Sequence, residues 1–122
     1  MTNTLFDTPD FRTIPVAGET AEYPVVRIFC VGRNYEAHAV EMGGTVDREA
    51  PWYFTKSAIT AACPTGATVP YPPGTENFHF EMELVVAVGA EVFKADLATA
   101  EKAIYGYGCG LDMTRRDRQQ DG

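Results

Sequence analysis

The sequence predicts a β-rich α+β fold, and three observations carry that reading. "FHFEMELVVAVG" (78–89) and "IYGYGCGLDM" (104–113) alternate in side-chain character with the period of two expected of strands. "VVRIFCVG" (25–32) is a continuous apolar run, rich in β-branched residues and closed by a glycine, which reads as a buried strand. Helix-forming stretches are few and short. With 122 residues, 45% of them hydrophobic, the chain is large enough for a real core and too apolar for disorder.

Taken in order, residues 1–23 form a polar arm punctuated by Pro9, Pro15 and Gly18, with one short strand near "RTIPV". Residues 24–122 form the main unit, opened by the 25–32 strand. "RNYEAHAVEMG" (33–43) lacks alternation and is rich in helix formers, and Gly43 and Gly44 stop it, so a short helix is expected. "WYFTK" reads as extended. "PTGATVPYPPGTEN" (64–77) is a Pro/Gly-rich loop with room for one short strand.

The 78–89 strand follows. Phe78, Phe80, Met82, Leu84, Val86 and Val88 share a face that reads as core, while His79, Glu81, Glu83, Val85 and Ala87 share the other. A helix is expected from Leu97 to Ile104, with Asp96 as its N-cap. In the next strand Ile104, Gly106, Gly108, Gly110 and Asp112 fall on one face. "TRRDRQQDG" begins a helix or a polar turn. There is no repeat and no domain boundary. Because the strands have few partners among themselves, the expectation is the first part of a longer fold, or a chain that needs another.

Ten basic against seventeen acidic residues give a net charge of −7, which argues against a nucleic-acid binder. No apolar run is long enough to span a bilayer, and "MTNTLFDTPDFR" has neither the basic nor the apolar region of a signal peptide. Cys30, Cys63 and Cys109 show no CxxC spacing and read as reduced, buried cysteines of a cytoplasmic protein.

The chemistry concentrates on the second face of the 78–89 strand. Glu81 and Glu83 sit side by side there, and two buried carboxylates repel each other unless something compensates them. A hard divalent cation such as Mg2+ or Mn2+ does so with oxygen ligands. The competing reading is a pair of solvated glutamates on an edge strand. Asp112, beside three glycines that leave its face bare, fits a third ligand, or else a helix cap. These glycines miss the GxGxxG spacing, so no dinucleotide site is read. His38 and Glu41 are three apart in the expected helix, so a carboxylate can orient the imidazole as a general base, or the two are inert helix neighbours of a common kind. Arg33, Arg115 and Arg116 can each clamp a carboxylate or simply face solvent. His79 reads as structural, and Lys56 as a surface lysine in the absence of other signals.

Read together, "CVGRNYEAHAVEMG", "FTKSA", "ATVPYPPGTENFHFEMELVVAVG" and "YGYGCGLDMTRRDRQ" resemble the fumarylacetoacetate hydrolase family over residues 24–120. The combination of GRNYxxH, ExE and LDMTxRD in that order is specific, although each motif alone is weak. The resemblance implies a mixed β-sheet roll with short peripheral helices, incomplete in this chain. It implies Glu81, Glu83 and Asp112 as Mg2+ or Mn2+ ligands and His38 with Glu41 as the water-activating pair. Arg116 and Gln119 match positions that hold the substrate's carboxylate and oxo groups, and Lys56 matches a lysine followed in the family by proline, here Ser57. Arg33, in the GRNY stretch, is a further substrate-binding candidate. Phe80 stands where a second histidine is often found.

The implied activity is metal-dependent hydrolysis of a carbon–carbon bond in a 2,4-dioxo acid. "PYPP" and "GLDMTRRD" are most similar to bacterial enzymes that cut fumarylpyruvate to fumarate and pyruvate in aromatic degradation. The alternatives are a decarboxylase or isomerase of 2-oxo dicarboxylic acids on the same fold, or a catalytically incomplete fragment. A homodimer is implied, with no membrane partner.

Overall fold

The computed structural model of the chain describes residues 2–32 and 51–121. They divide into two compact units, Met1–Thr68 and Val69–Gly122. The helix expected over 33–43 lies outside the described residues.

In the first unit, β1 (Arg12–Ile14) pairs antiparallel with β2 (Tyr23–Val25), so the arm carries half of a two-stranded ribbon. β3 (Ile28–Gly32) pairs antiparallel with β4 (Trp52–Lys56), which realises the extended "WYFTK". The 25–32 run is therefore shorter than expected, because Val25 belongs to β2. Nor is it buried: Phe29 and Val31 are exposed while Ile28, Cys30 and Gly32 are half-buried. Among the described residues β3 has β4 as its one neighbouring strand, so its apolar side chains alternate across a two-stranded ribbon. Arg12 ties the arm to the chain after β4, donating from Nε to the Ile59 carbonyl at 2.9 Å.

In the second unit the expected 78–89 strand breaks at Phe80. β5 (Phe78–His79) pairs antiparallel with β8 (Thr114–Arg115), whereas β6 (Met82–Val88) pairs antiparallel with β7 (Ile104–Leu111). Between the two ladders, Glu81 and Asp112 exchange backbone hydrogen bonds of 3.1 and 2.8 Å, which keeps the chains in register across the break. Among the described residues, 64–77 forms turns and no strand.

α1 (Leu97–Lys102) begins where expected: Asp96 caps it, accepting from the Thr99 N–H at 2.8 Å. It ends before Ile104, which is already in β7. α2 (Arg116–Asp121) follows β8 directly.

The apolar face of β6 is the main correction. Met82, Leu84, Val86 and Val88 read as core from the sequence, and with their cross-strand partners Leu111, Cys109 and Tyr107 they line one face of the ribbon. They are exposed instead; Leu84 keeps 61% and Tyr107 69% of their accessible surface. A two-stranded ribbon supplies no second layer to cover that face, and no described element lies over it. Glu81, Glu83 and Ala87 on the opposite face are the half-buried set. The cysteines differ likewise from the buried reading: Cys63 and Cys109 are exposed and Cys30 half-buried, and none of the three is in a disulfide.

Candidate metal centre

Antiparallel pairing gives the acidic cluster its geometry. Glu83 lies opposite Gly110, Val85 opposite Gly108 and Ala87 opposite Gly106, so the glycine-rich face of β7 is the partner of the glutamate face of β6. A Cβ at Gly110 would stand 2.9 Å from Val85 Cγ2, so a side chain there would have to displace Val85. A β-bulge between Ala87 and Val88 then pairs Ile104 with Val88 instead of leaving it in line with the glycines as alternation predicts. At the other end the strand runs on into Asp112, carried beside Glu81 by their exchanged backbone bonds.

Glu81, Glu83 and Asp112 thereby each present a carboxylate oxygen within 4.8 Å of the others, all three residues half-buried. Asp112 Oδ1 has almost no access to solvent. Three carboxylates this close, one with an oxygen shut away from water, are costly as a bare cluster. An all-oxygen set of this kind suits a hard divalent cation, which keeps some waters beside a few carboxylates. The residues present fit such an ion.

Cationic and hydrogen-bonding groups surround Glu81. Arg116, one of the few buried polar residues, donates from Nη2 to Glu81 Oε2 at 2.7 Å. Its Nη1 donates to Gln119 Oε1 at 2.7 Å and its Nε to His79 Nδ1 at 3.4 Å. The Thr114 hydroxyl reaches the same Glu81 oxygen at 3.3 Å. Behind Arg116, Asp117 Oδ1 accepts from the Thr75 hydroxyl, and Oδ2 accepts from the Glu76 N–H at 3.0 Å. The Thr75 bond first, and the Glu76 bond next, hold the Asp117 carboxyl below its ordinary range.

The sequence-predicted residues thus divide three ways. Glu81, Glu83, Asp112, Arg116 and Gln119 come together in the second unit. Lys56 ends β4 in the first unit, half-buried opposite Ile28. Arg33, His38 and Glu41 lie outside the described residues.

Thr114, Thr75 and Asp117 escaped the sequence reading. Thr114 was accessible to it, because it has the same parity as Asp112 in an extended run and so shares its face. Nothing in the spacing links Thr75 to Asp117. His79 does more than pack, since it accepts from Arg116.

Comparison with known proteins converges on one family. Residues 27–122 match the domain family described as Fumarylacetoacetate (FAA) hydrolase C-terminal. A fumarylpyruvate hydrolase from Ralstonia sp is 54% identical over 80 residues, 64% of this chain and 41% of that protein. An oxaloacetate tautomerase from Escherichia coli is 41% identical over 84% of this chain and 46% of its own length. The crystal structure of a fumarylpyruvate hydrolase from Pseudomonas aeruginosa, in complex with Mn2+ and pyruvate, superposes with a TM-score of 0.86 at 44% identity. That match covers 98% of this chain and 52% of the other. The chain spans about half the length of the relatives it matches.

Proposed function

The chain belongs to the fumarylacetoacetate hydrolase family, and from that membership we propose that it carries the metal centre of an acylpyruvate hydrolase cutting fumarylpyruvate to fumarate and pyruvate. The observation that carries the proposal is the convergence of Glu81, Glu83 and Asp112 from two strands, with Arg116 beside them. The Mn2+ in the Pseudomonas aeruginosa relative supports a divalent ion as the cofactor, with Mg2+ as the other candidate.

Glu81, Glu83 and Asp112 would hold that ion. When bound, it supplies a Lewis acid for the oxygens of a 2-oxo acid. The family pattern gives His38 the role of base, with Glu41 orienting it: the imidazole takes a proton from water, and the resulting hydroxide adds to the acyl carbonyl. The carbon–carbon bond between that carbonyl and the methylene then breaks. Its electron pair leaves with the pyruvate fragment as an enolate, which is protonated to pyruvate, while the acyl fragment leaves as fumarate. Arg116 and Gln119 are assigned to the substrate's carboxylate and oxo groups. A guanidinium presents five N–H donors in a planar fork, which suits it to bidentate carboxylate recognition. Lys56 and Arg33 are further anion-binding candidates.

The test is a product assay with Mn2+ and fumarylpyruvate. Equimolar fumarate and pyruvate are expected, with activity abolished in Glu83→Gln. Carbon dioxide release from oxaloacetate, or its enol–keto interconversion, without fumarylpyruvate cleavage would instead establish the second reading. That reading is a decarboxylase or isomerase of 2-oxo dicarboxylic acids, and the Escherichia coli tautomerase favours its isomerase half.

A homodimer belongs to the same proposal. The exposed apolar face of β6 and β7 is of a kind that soluble proteins bury on association, and sedimentation velocity measures it directly. Among the described residues, no helix is long and apolar enough to cross a membrane.

A further inference from the structure

Three consecutive residues of α2 reach back to the four-residue loop Gly74–Asn77. The Arg116 N–H donates to the Asn77 carbonyl at 2.8 Å. Asp117 accepts from the Thr75 hydroxyl and the Glu76 N–H. Arg118 Nε donates to the Gly74 carbonyl at 3.1 Å. Thr75 is 8% exposed, although its hydroxyl is polar and its neighbours Gly74 and Glu76 are exposed. Its hydroxyl also accepts from the Asn77 N–H at 3.3 Å, so it closes the loop on itself while holding Asp117.

An aspartate in the first turn of a helix is ordinarily explained by the free N–H groups there. Here one local bond fits that account, from the Arg118 N–H to Oδ1 at 3.0 Å. The other two bonds leave the helix and bind the loop that leads into β5. The next residue back is Arg116, whose guanidinium spans from Gln119 past His79 to Glu81. Two donors, Arg116 Nη2 and Thr114 Oγ1, converge on Glu81 Oε2 and fix how that carboxylate is turned.

We infer that Asp117 and Thr75 are positioning residues for the metal centre: their bond locks the first turn of α2 to the 74–77 loop, so that Arg116 holds the Glu81 carboxylate in its ligating orientation. Neither residue touches the ion or the substrate. Their effect passes through Arg116. The inference rests on the metal reading of Glu81, Glu83 and Asp112.

The test compares Asp117→Asn, Thr75→Val and Thr75→Ser by Mn2+ titration, read by electron paramagnetic resonance of free Mn2+, beside thermal melts of the same samples. Groups that orient metal ligands typically contribute about 10–100-fold in affinity. Asp117→Asn and Thr75→Val are expected to weaken Mn2+ binding about tenfold, and Thr75→Ser, which keeps the hydroxyl, to restore it. If the variants melt earlier but the folded protein binds Mn2+ as tightly as the parent, the bond is only structural and the inference is overturned. If Thr75→Ser is as weak as Thr75→Val, the hydroxyl is not the active group and the inference is likewise overturned. A parent chain that binds no Mn2+ would remove the metal reading itself, and this inference with it.

Discussion

At the Glu81 end of the β6–β7 ribbon, the backbone bonds between Glu81 and Asp112 are overlaid by an ion pair, two hydroxyl contacts and a carboxylate clamp. At the Val88 end the closure is almost entirely main-chain: the Gly89 N–H donates to the Ala103 carbonyl at 2.7 Å, and Asp96 caps the short helix that joins the strands. Both ends solve the same problem, holding two antiparallel strands in register. Only the first does so with charged groups taken partly out of water, which costs desolvation that a backbone closure avoids. That surplus is what marks the first end as a site.

The two ends differ most at Asp112. Asp112→Asn removes a proposed ligand, so Mn2+ affinity is expected to fall by more than about 100-fold, beyond what outlying partners contribute. It also removes one of three crowded carboxylates. The metal-free protein is therefore expected to melt higher than the parent while losing stabilisation by Mn2+, a pair of opposite changes that one thermal titration reads.

Next in size is Arg116→Ala. It strips the half-buried Glu81 carboxylate of its cation, and hydrogen bonds to charged groups contribute roughly 1.5–3 kcal/mol, so urea midpoints are expected to fall accordingly. Arg116→Lys keeps the charge but loses the fork that spans Glu81, His79 and Gln119, and is expected to recover only part of that loss. Equal midpoints for Ala and parent would show the ion pair to be stabilising nothing.

Much of this end was legible in the sequence for a physical reason. Alternation assigns residues to faces, and parity alone puts Glu81 with Glu83 and Asp112 with the β7 glycines. What parity cannot say is which face is covered. Met82 and Leu84 read as core because apolar faces usually find a second layer, yet here the acidic face is the sheltered one. The break at Phe80 and the bulge at Ala87/Val88 were also invisible, since both depend on which strand pairs with which. The Arg116–Glu81 pair joins residues 35 apart that no periodicity connects. Asp96 was readable because capping is local: its partner Thr99 lies three residues on.

The smallest expected effect sharpens the contrast between the ends. Asp96 and Asp117 are both held below the ordinary carboxyl value of 3.8, Asp96 by the Thr99 side chain first and its N–H next, Asp117 by Thr75 and then Glu76. For each, the folded value is the depressed one. The stability it contributes is full above 3.8 and is lost as pH falls from there through the folded value. Asn at either position should flatten that acid limb of the stability curve. Only at 117, however, does the lost bond lead on, through Arg116, to the proposed ligand Glu81. Asp96→Asn is therefore expected to leave Mn2+ affinity at neutral pH within about twofold of the parent, as distant independent sites do, while Asp117→Asn changes both. A matching loss of Mn2+ affinity in Asp96→Asn would mean that the two ends are coupled along the ribbon and that the division between them is false.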